Sequence, residues 1–271
     1  MKGLFITGFL FFFVIANSYS IGERIVAGGR SAAMAGNSVS IIDFWSVGNN
    51  QAGSAWLDKI SAGIYFENRF LMKSLLYEEI GFVLPLKAGT FGLVLTHSGT
   101  ASYSEMKASV SYARKFGNHF SAGISAVYLR LGLPEEYGAK NLVSCEIGLM
   151  FIPNKRFSLG LQIVNPVPIK ITKNPVELLP ITVCIGITYH FSDSFFAGIE
   201  AEKDLLHRPL IRLGAEYHFI KSAYARLGIS LNPAKFAFGF GLEFGNLKID
   251  LASEYHQVLG FSPSGSIIYC F

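Results

Sequence analysis

Charge is scarce in this chain. Asp, Glu, Lys and Arg make up 15% of its 271 residues, against about 25% in an ordinary soluble domain. The net charge of +4 is small and scattered along the sequence, so no nucleic-acid partner is expected. Cysteine is scarcer still. Cys145, Cys184 and Cys270 are far apart and form no CxxC pair, so they set neither a disulfide framework nor a zinc site. No Gly-x-Ser-x-Gly elbow occurs, and no two histidines lie three or four residues apart. Nothing therefore points to an enzyme, a cofactor or a bound metal. Long apolar runs are missing as well, for none after residue 16 approaches the roughly 20 residues of a spanning helix. Yet hydrophobic residues are 51% of the chain, and they must be carried by short segments.

One stretch shows how. In Lys235–Phe244, Phe236, Phe238, Phe240, Leu242 and Phe244 share one parity, while Ala237, Gly239, Gly241 and Glu243 share the other. Period two is that of a β-strand with unlike faces. A row of phenylalanines opposite glycine and one charge suits an outer face against lipid and an inner face in a crowded lumen. Gly245-Asn246 then reads as a tight hairpin turn.

Met1 to Ser20 reads as a secretory signal peptide, with Lys2 before an apolar run from Leu4 to Ala16 and small residues at Ser18 and Ser20. Cleavage is expected before Ile21. Residues 21–57 are rich in Gly, Ala, Ser and Asn, and are expected to enter the lumen as a plug, since small side chains let backbone pack closely. From residue 58 the strand unit repeats. Strands are expected at Lys59–Glu67, Tyr77–Leu86, Phe91–Ser98, Ser104–Phe116, His119–Leu131, Leu142–Ile152, Arg156–Val164, Ile181–Phe191, Phe195–Glu202, Leu210–Phe219, Ala223–Leu231, Lys235–Phe244, Leu247–Gln257 and Phe261–Phe271. The fold class expected is all-β: an antiparallel transmembrane barrel of about fourteen strands over residues 58–271. Pattern alone leaves open whether the first strand belongs to the wall or to the plug, and so a count of fourteen or twelve.

Connections alternate between short turns and often longer loops. Such barrels carry short periplasmic turns and longer outer loops, so both ends of the chain are expected in the periplasm of a Gram-negative bacterium. Aromatic residues flank the short turns, as in Phe116 and Phe120, Phe151 and Phe157, Phe191 and Phe195, and Phe219 and Tyr224. They suit a girdle at the lipid–water interface. Tyr269 and Phe271 end the last strand with outward parity, similar to the signal read by the barrel assembly machinery. Outer-membrane lipid and that machinery are thus the partners expected first.

The inward parity carries Lys107, Glu146, His190, Glu200, Glu202, Arg212, Glu216, His218, Arg226, Glu243, Asp250, Glu254 and His256. Both signs in a confined interior are expected to pair with one another and with Arg24, Arg30 or Asp43 of the plug. The opening Gly28-Gly-Arg-Ser-Ala-Ala-Met-Ala-Gly-Asn-Ser-Val39, followed by Asn49-Asn50-Gln51-Ala52-Gly53, resembles the FadL-like outer-membrane barrels, particularly the PorV/PorQ group of Bacteroidota. Gln51 departs from the proline of that group's Asn-Pro-Ala-Gly motif. The resemblance implies one of two non-enzymatic roles. The first is an accessory or structural barrel associated with type IX secretion, with secretion-system proteins as partners. The alternative is a channel for small hydrophobic molecules, gated by the N-terminal segment. Short loops and a charged lumen tilt the expectation toward the accessory barrel.

Overall fold

The computed structural model describes residues 24–100, 103–133, 138–172, 177–205 and 208–271. The signal peptide expected at 1–20 lies outside the described residues. Strands β1 (Ser61–Asn68), β2 (Leu76–Leu86), β3 (Gly89–Gly99), β4 (Ser104–Phe116), β5 (Phe120–Gly132), β6 (Ala139–Asn154) and β7 (Phe157–Val164) lead to a small hairpin, β8 (Lys170–Thr172) and β9 (Glu177–Leu178). There follow β10 (Thr182–Ser192), β11 (Phe195–Asp204), β12 (Leu210–Ile220), β13 (Ala223–Leu231), β14 (Lys235–Phe244), β15 (Leu247–His256) and β16 (Gly260–Cys270). All but β8 and β9 close into one barrel, sealed where β16 pairs with β1 from Ser61↔Cys270 to Glu67↔Ser264. The all-β, fourteen-strand antiparallel fold expected from the pattern is therefore borne out. β1 belongs to the wall, paired on both sides.

The period-two residues sort as a lipid-facing wall demands. Along β14 burial alternates strictly from Phe236 to Leu242. Phe236, Phe238, Phe240 and Phe244 are exposed by 44–60% of their surface, with Ala237 and Gly239 turned inward. Every barrel strand shows the same apolar face outward, as in Ile64 and Phe66, Ile80 and Phe82, or Leu227 and Ile229. Tyr269 and Phe271 also point out, and the Phe271 N–H donates to the Ile60 carbonyl at 2.8 Å. At one end the strands are joined by tight turns; Gly245 holds one of them with φ 60°. At the other end the loops are longer. Most of the turn-flanking aromatics are half-buried or exposed, and Phe116–Phe120 and Phe191–Phe195 are in ring contact. Tyr224 departs from the expected girdle. It shares the inward parity of Arg226, stacks on that guanidinium and donates to Glu243 at 2.6 Å, because its hydroxyl has a carboxylate partner only inside.

The middle of the lumen is occupied by residues 24–57, which form three single helical turns, α1 (Gly29–Ala33), α2 (Ser46–Asn49) and α3 (Gln51–Ser54). None could persist alone at that length. The wall holds them, and it makes room by omitting side chains. A belt of inward glycines runs round β1–β3, β5–β7 and β10–β14, and neighbouring strands bring them level, as in Gly123↔Gly148, Gly160↔Gly186 and Gly214↔Gly228. A Cβ on Gly160 would lie 1.9 Å from the Val39 carbonyl oxygen, and one on Gly228 2.3 Å from the Met34 carbonyl carbon. Real atoms cannot approach so closely. The glycine parity seen in the sequence is thus the imprint of the segment inside.

Candidate functional site

The inner segment is gripped by two unlike sides of the barrel. Toward β1–β3 and β16 the contact is apolar: Ala27, Phe44, Trp45 and Val47 pack on Tyr65, Tyr77, Val83, Val94 and Ile268, with Trp45 edge-on to both Phe44 and Tyr65. Toward β11–β15 the contact is ionic. Arg24 Nη1 lies 3.0 Å from Glu200 and 3.1 Å from Glu202, and Arg212 Nη1 meets the same two carboxylates at 3.0 and 2.7 Å. The remaining Glu200 oxygen accepts the backbone N–H groups of Ser38 and Val39 at 2.7 and 2.8 Å. Arg30 binds Glu216 through two nitrogens. Glu216 also takes Arg226 at 2.6 Å, and Arg226 reaches Asp250. Apart from Arg30, a fifth of whose side chain is exposed, these groups are about nine-tenths buried or more, so each charge relies on its partners.

Asp43 is the loosest member. Its Oδ2 stands 3.7 Å from Arg30 and accepts no hydrogen bond, while its Oδ1 accepts the Trp45 N–H. Burial raises its carboxyl above the ordinary range against the pull of Arg30. Asn50 caps α3 through Ala52 and donates to the Val39 and Leu149 carbonyls. Gln51 donates to Glu146 at 2.6 Å, and Lys107 meets the other Glu146 oxygen at 2.6 Å. Gly53 lies where a Cβ would be 2.7 Å from Ser46 Oγ, which lets α2 and α3 fold against each other. Glu243 and Glu254 are inside but do not reach the segment. They pair with Lys248 at the turn end and Lys235 at the loop end, because the inner segment occupies only the middle of the lumen. His190, His218 and His256 likewise sit near the strand ends; His218 Nε2 is 2.7 Å from Glu216.

Among the described residues one group resembles a metal site. Cys184, Glu200 and Glu202 offer ligand atoms within 4.8 Å of one another. The guanidiniums of Arg24 and Arg212 already neutralise both carboxylates, so the cluster is a cation site filled by the protein itself.

Above the inner segment the described parts of the connection between β7 and β10 fold inward. Ile169, Ile171 and Leu179 pack on Leu129, Leu131 and Leu142 in the barrel mouth. Asn165 pins this lid at its base. With φ 54° it donates from Nδ2 to the Pro180 carbonyl, accepts from Ser144 Oγ at 2.6 Å and gives its N–H to the Cys145 carbonyl. Between lid and inner segment lies a chamber of about 70 Å³ with an apolar wall from Ile25, Val94, Val127, Leu129, Val164 and Leu179. Glu79, Lys107 and Glu146 supply polar points on the same chamber. Below the segment, at the turn end, a second cavity of about 230 Å³ opens beside Ile41, Ile42 and Ser158.

Neither the lid nor Glu79 was foreseen from sequence. Glu79 shares its parity with Tyr77, Gly81 and Val83, so strand alternation could have placed it inside. The lid carries only two- and three-residue strands, which leave no periodic signal.

A closed antiparallel barrel with an apolar outer face and a polar lumen is a transmembrane β-barrel, and its fold is shared with solved FadL-family transporters. A Pseudomonas aeruginosa FadL homologue superposes with a TM-score of 0.68 over 92% of this chain and 98% of its own, at 12% identity. The toluene transporters TodX of Pseudomonas putida and TbuX of Ralstonia pickettii both give 0.65 over 90% of this chain, covering 96% and 97% of theirs, at 12% and 11% identity. No protein-family sequence profile matches the chain, and no curated protein does. The likeness is therefore one of fold.

Proposed function

We propose that this protein is an outer-membrane channel for small hydrophobic or amphipathic molecules, with residues 24–57 as its hatch. The observation that carries this is the chamber between lid and hatch. It sets apolar side chains such as Val127, Leu129 and Leu179 among fixed polar and charged ones, a mixture suited to a small molecule, and the hatch closes it from the cavity at the turn end. The shared fold with toluene transporters supports the same function. In this scheme the tight turns face the periplasm and the longer loops, with the lid, face outward. The accessory role in type IX secretion, expected from the PorV/PorQ resemblance, short loops and a charged lumen, gains no support from the chamber or the hatch.

The test is uptake of a radiolabelled small aromatic hydrocarbon by Gram-negative cells lacking their own channels of this fold. Expression should raise uptake severalfold. Ser40 Oγ lies 2.8 Å from Thr188 Oγ1, so oxidising the pair Ser40→Cys and Thr188→Cys should lock the hatch and return uptake to background, reversibly on reduction. Uptake unchanged by the folded, outer-membrane-located protein would end the channel proposal.

A further inference from the structure

The chamber's charges do not balance. Of its cations, Arg24 is spent on Glu200 and Glu202, and Lys107 on Glu146. Glu146 is satisfied at both oxygens, by Lys107 and Gln51. Glu105 accepts the Tyr103 hydroxyl. Glu79 is different. It is 96% buried, since only 4% of its surface is exposed. Its Oε2 accepts the Tyr77 hydroxyl, but its Oε1 has no partner and lies beside Gly48 of the hatch, which lines the same chamber. A buried carboxylate oxygen without a donor is costly, and none of the donors that line the chamber bonds it.

Resting on the channel reading above, we infer that the chamber selects small molecules with an apolar ring or short chain and one protonated amine, the ammonium group donating to Glu79. The apolar body packs against Val127, Leu129, Val164 and Leu179, and the amine supplies the missing donor. A carboxylate-bearing ligand of the same shape would meet Glu79 as a like charge and be rejected. Gly48 couples ligand to hatch, because the oxygen that would bind the amine is covered beside it, so that the amine reaches Glu79 by shifting α2. A side chain there would lie 3.2 Å from that oxygen.

Benzylamine, benzyl alcohol and benzoate differ mainly in the head group and are the probes. Each is titrated calorimetrically at neutral pH into the full chain in nanodiscs, with empty nanodiscs subtracted. Benzylamine should bind best, benzyl alcohol more weakly and benzoate not measurably. Glu79→Gln should weaken benzylamine by about tenfold or more, the loss of one charge-assisted contact, and so remove most of its lead over benzyl alcohol. Benzoate or benzyl alcohol binding as tightly as benzylamine would overturn the ligand class while leaving the channel standing. If none of the three binds, and uptake of the aromatic hydrocarbon also fails, channel and ligand class fall together. Should Glu79→Gln not fold, the ranking of the three probes on the native chain decides the matter alone.

Discussion

Arg30 meets Glu216 edge to edge, Nε at 2.7 Å from Oε2 and Nη2 at 2.8 Å from Oε1. This two-point grip fixes distance and orientation together, and it joins a hatch residue to a wall residue 186 positions away. Glu216 simultaneously neutralises Arg226, so one carboxylate serves two guanidiniums.

Glu216→Ala should therefore destabilise the protein more than Arg30→Ala. It leaves Arg226 with Asp250 alone and Arg30 with Asp43 at 3.7 Å, whereas Arg30→Ala leaves Glu216 paired with Arg226; breaking a buried pair from one side costs about 3–5 kcal/mol. Urea unfolding in detergent, followed by the heat-dependent gel shift of folded barrels, checks the order. Equal midpoints would mean that water reaches the cluster.

On the outer face, Phe238→Arg should cost about 2–4 kcal/mol near the bilayer midplane, whereas Phe244→Arg, next to the turn, should cost about 0–1. Folding yield into vesicles separates them. Insertion of both variants at native yield would remove lipid from the Phe236–Phe244 face.

The glycine belt makes a sharper forecast. Gly160→Ala has no space, its Cβ falling on the Val39 carbonyl, and should displace the hatch locally. Gly265→Ala is the control, because it would meet only the Leu251 side chain at 3.3 Å and the Asp250 carbonyl at 3.5 Å. Planar-bilayer recordings should show added conductance for the first variant and none for the second.

Much of the wall was legible because it follows from local rules. Strict alternation places Ser104–Phe116, Ala223–Leu231 and Lys235–Phe244 at the bounds found in the structure. β6 runs longer than the expected Leu142–Ile152, reaching from Ala139 to Asn154, because β5 offers it a partner up to Gly132; pairing partners extend a strand beyond its own pattern. Inward parity also singles out Glu200, Arg212 and Glu216. Which cation each would hold was not legible, since Arg24 and Arg30 reach them across the lumen from far away in the chain. Tyr224 was misplaced for a related reason: an aromatic beside a turn suits the membrane interface, unless a carboxylate such as Glu243 waits on the other face.

Asn165 gives a test of the lid. Asn165→Ala removes the contacts to Pro180 and Ser144 and leaves alanine at positive φ, which strains it. Trypsin cleavage after Lys170 should accelerate severalfold on intact vesicles with the lid outward. An unchanged cleavage rate would show that Ile171 and Leu179 hold the lid unaided.

The glycine belt has a geometric corollary for the pore. Wherever the wall lacks side chains its bore is set by backbone alone, so the emptied barrel would be widest at its waist and narrower toward both mouths. Deleting residues 28–53 should accordingly leave a pore whose bottleneck lies at the Leu129 and Leu131 level rather than where the hatch had been. Polymers small enough to pass that ring would find a vestibule beyond it.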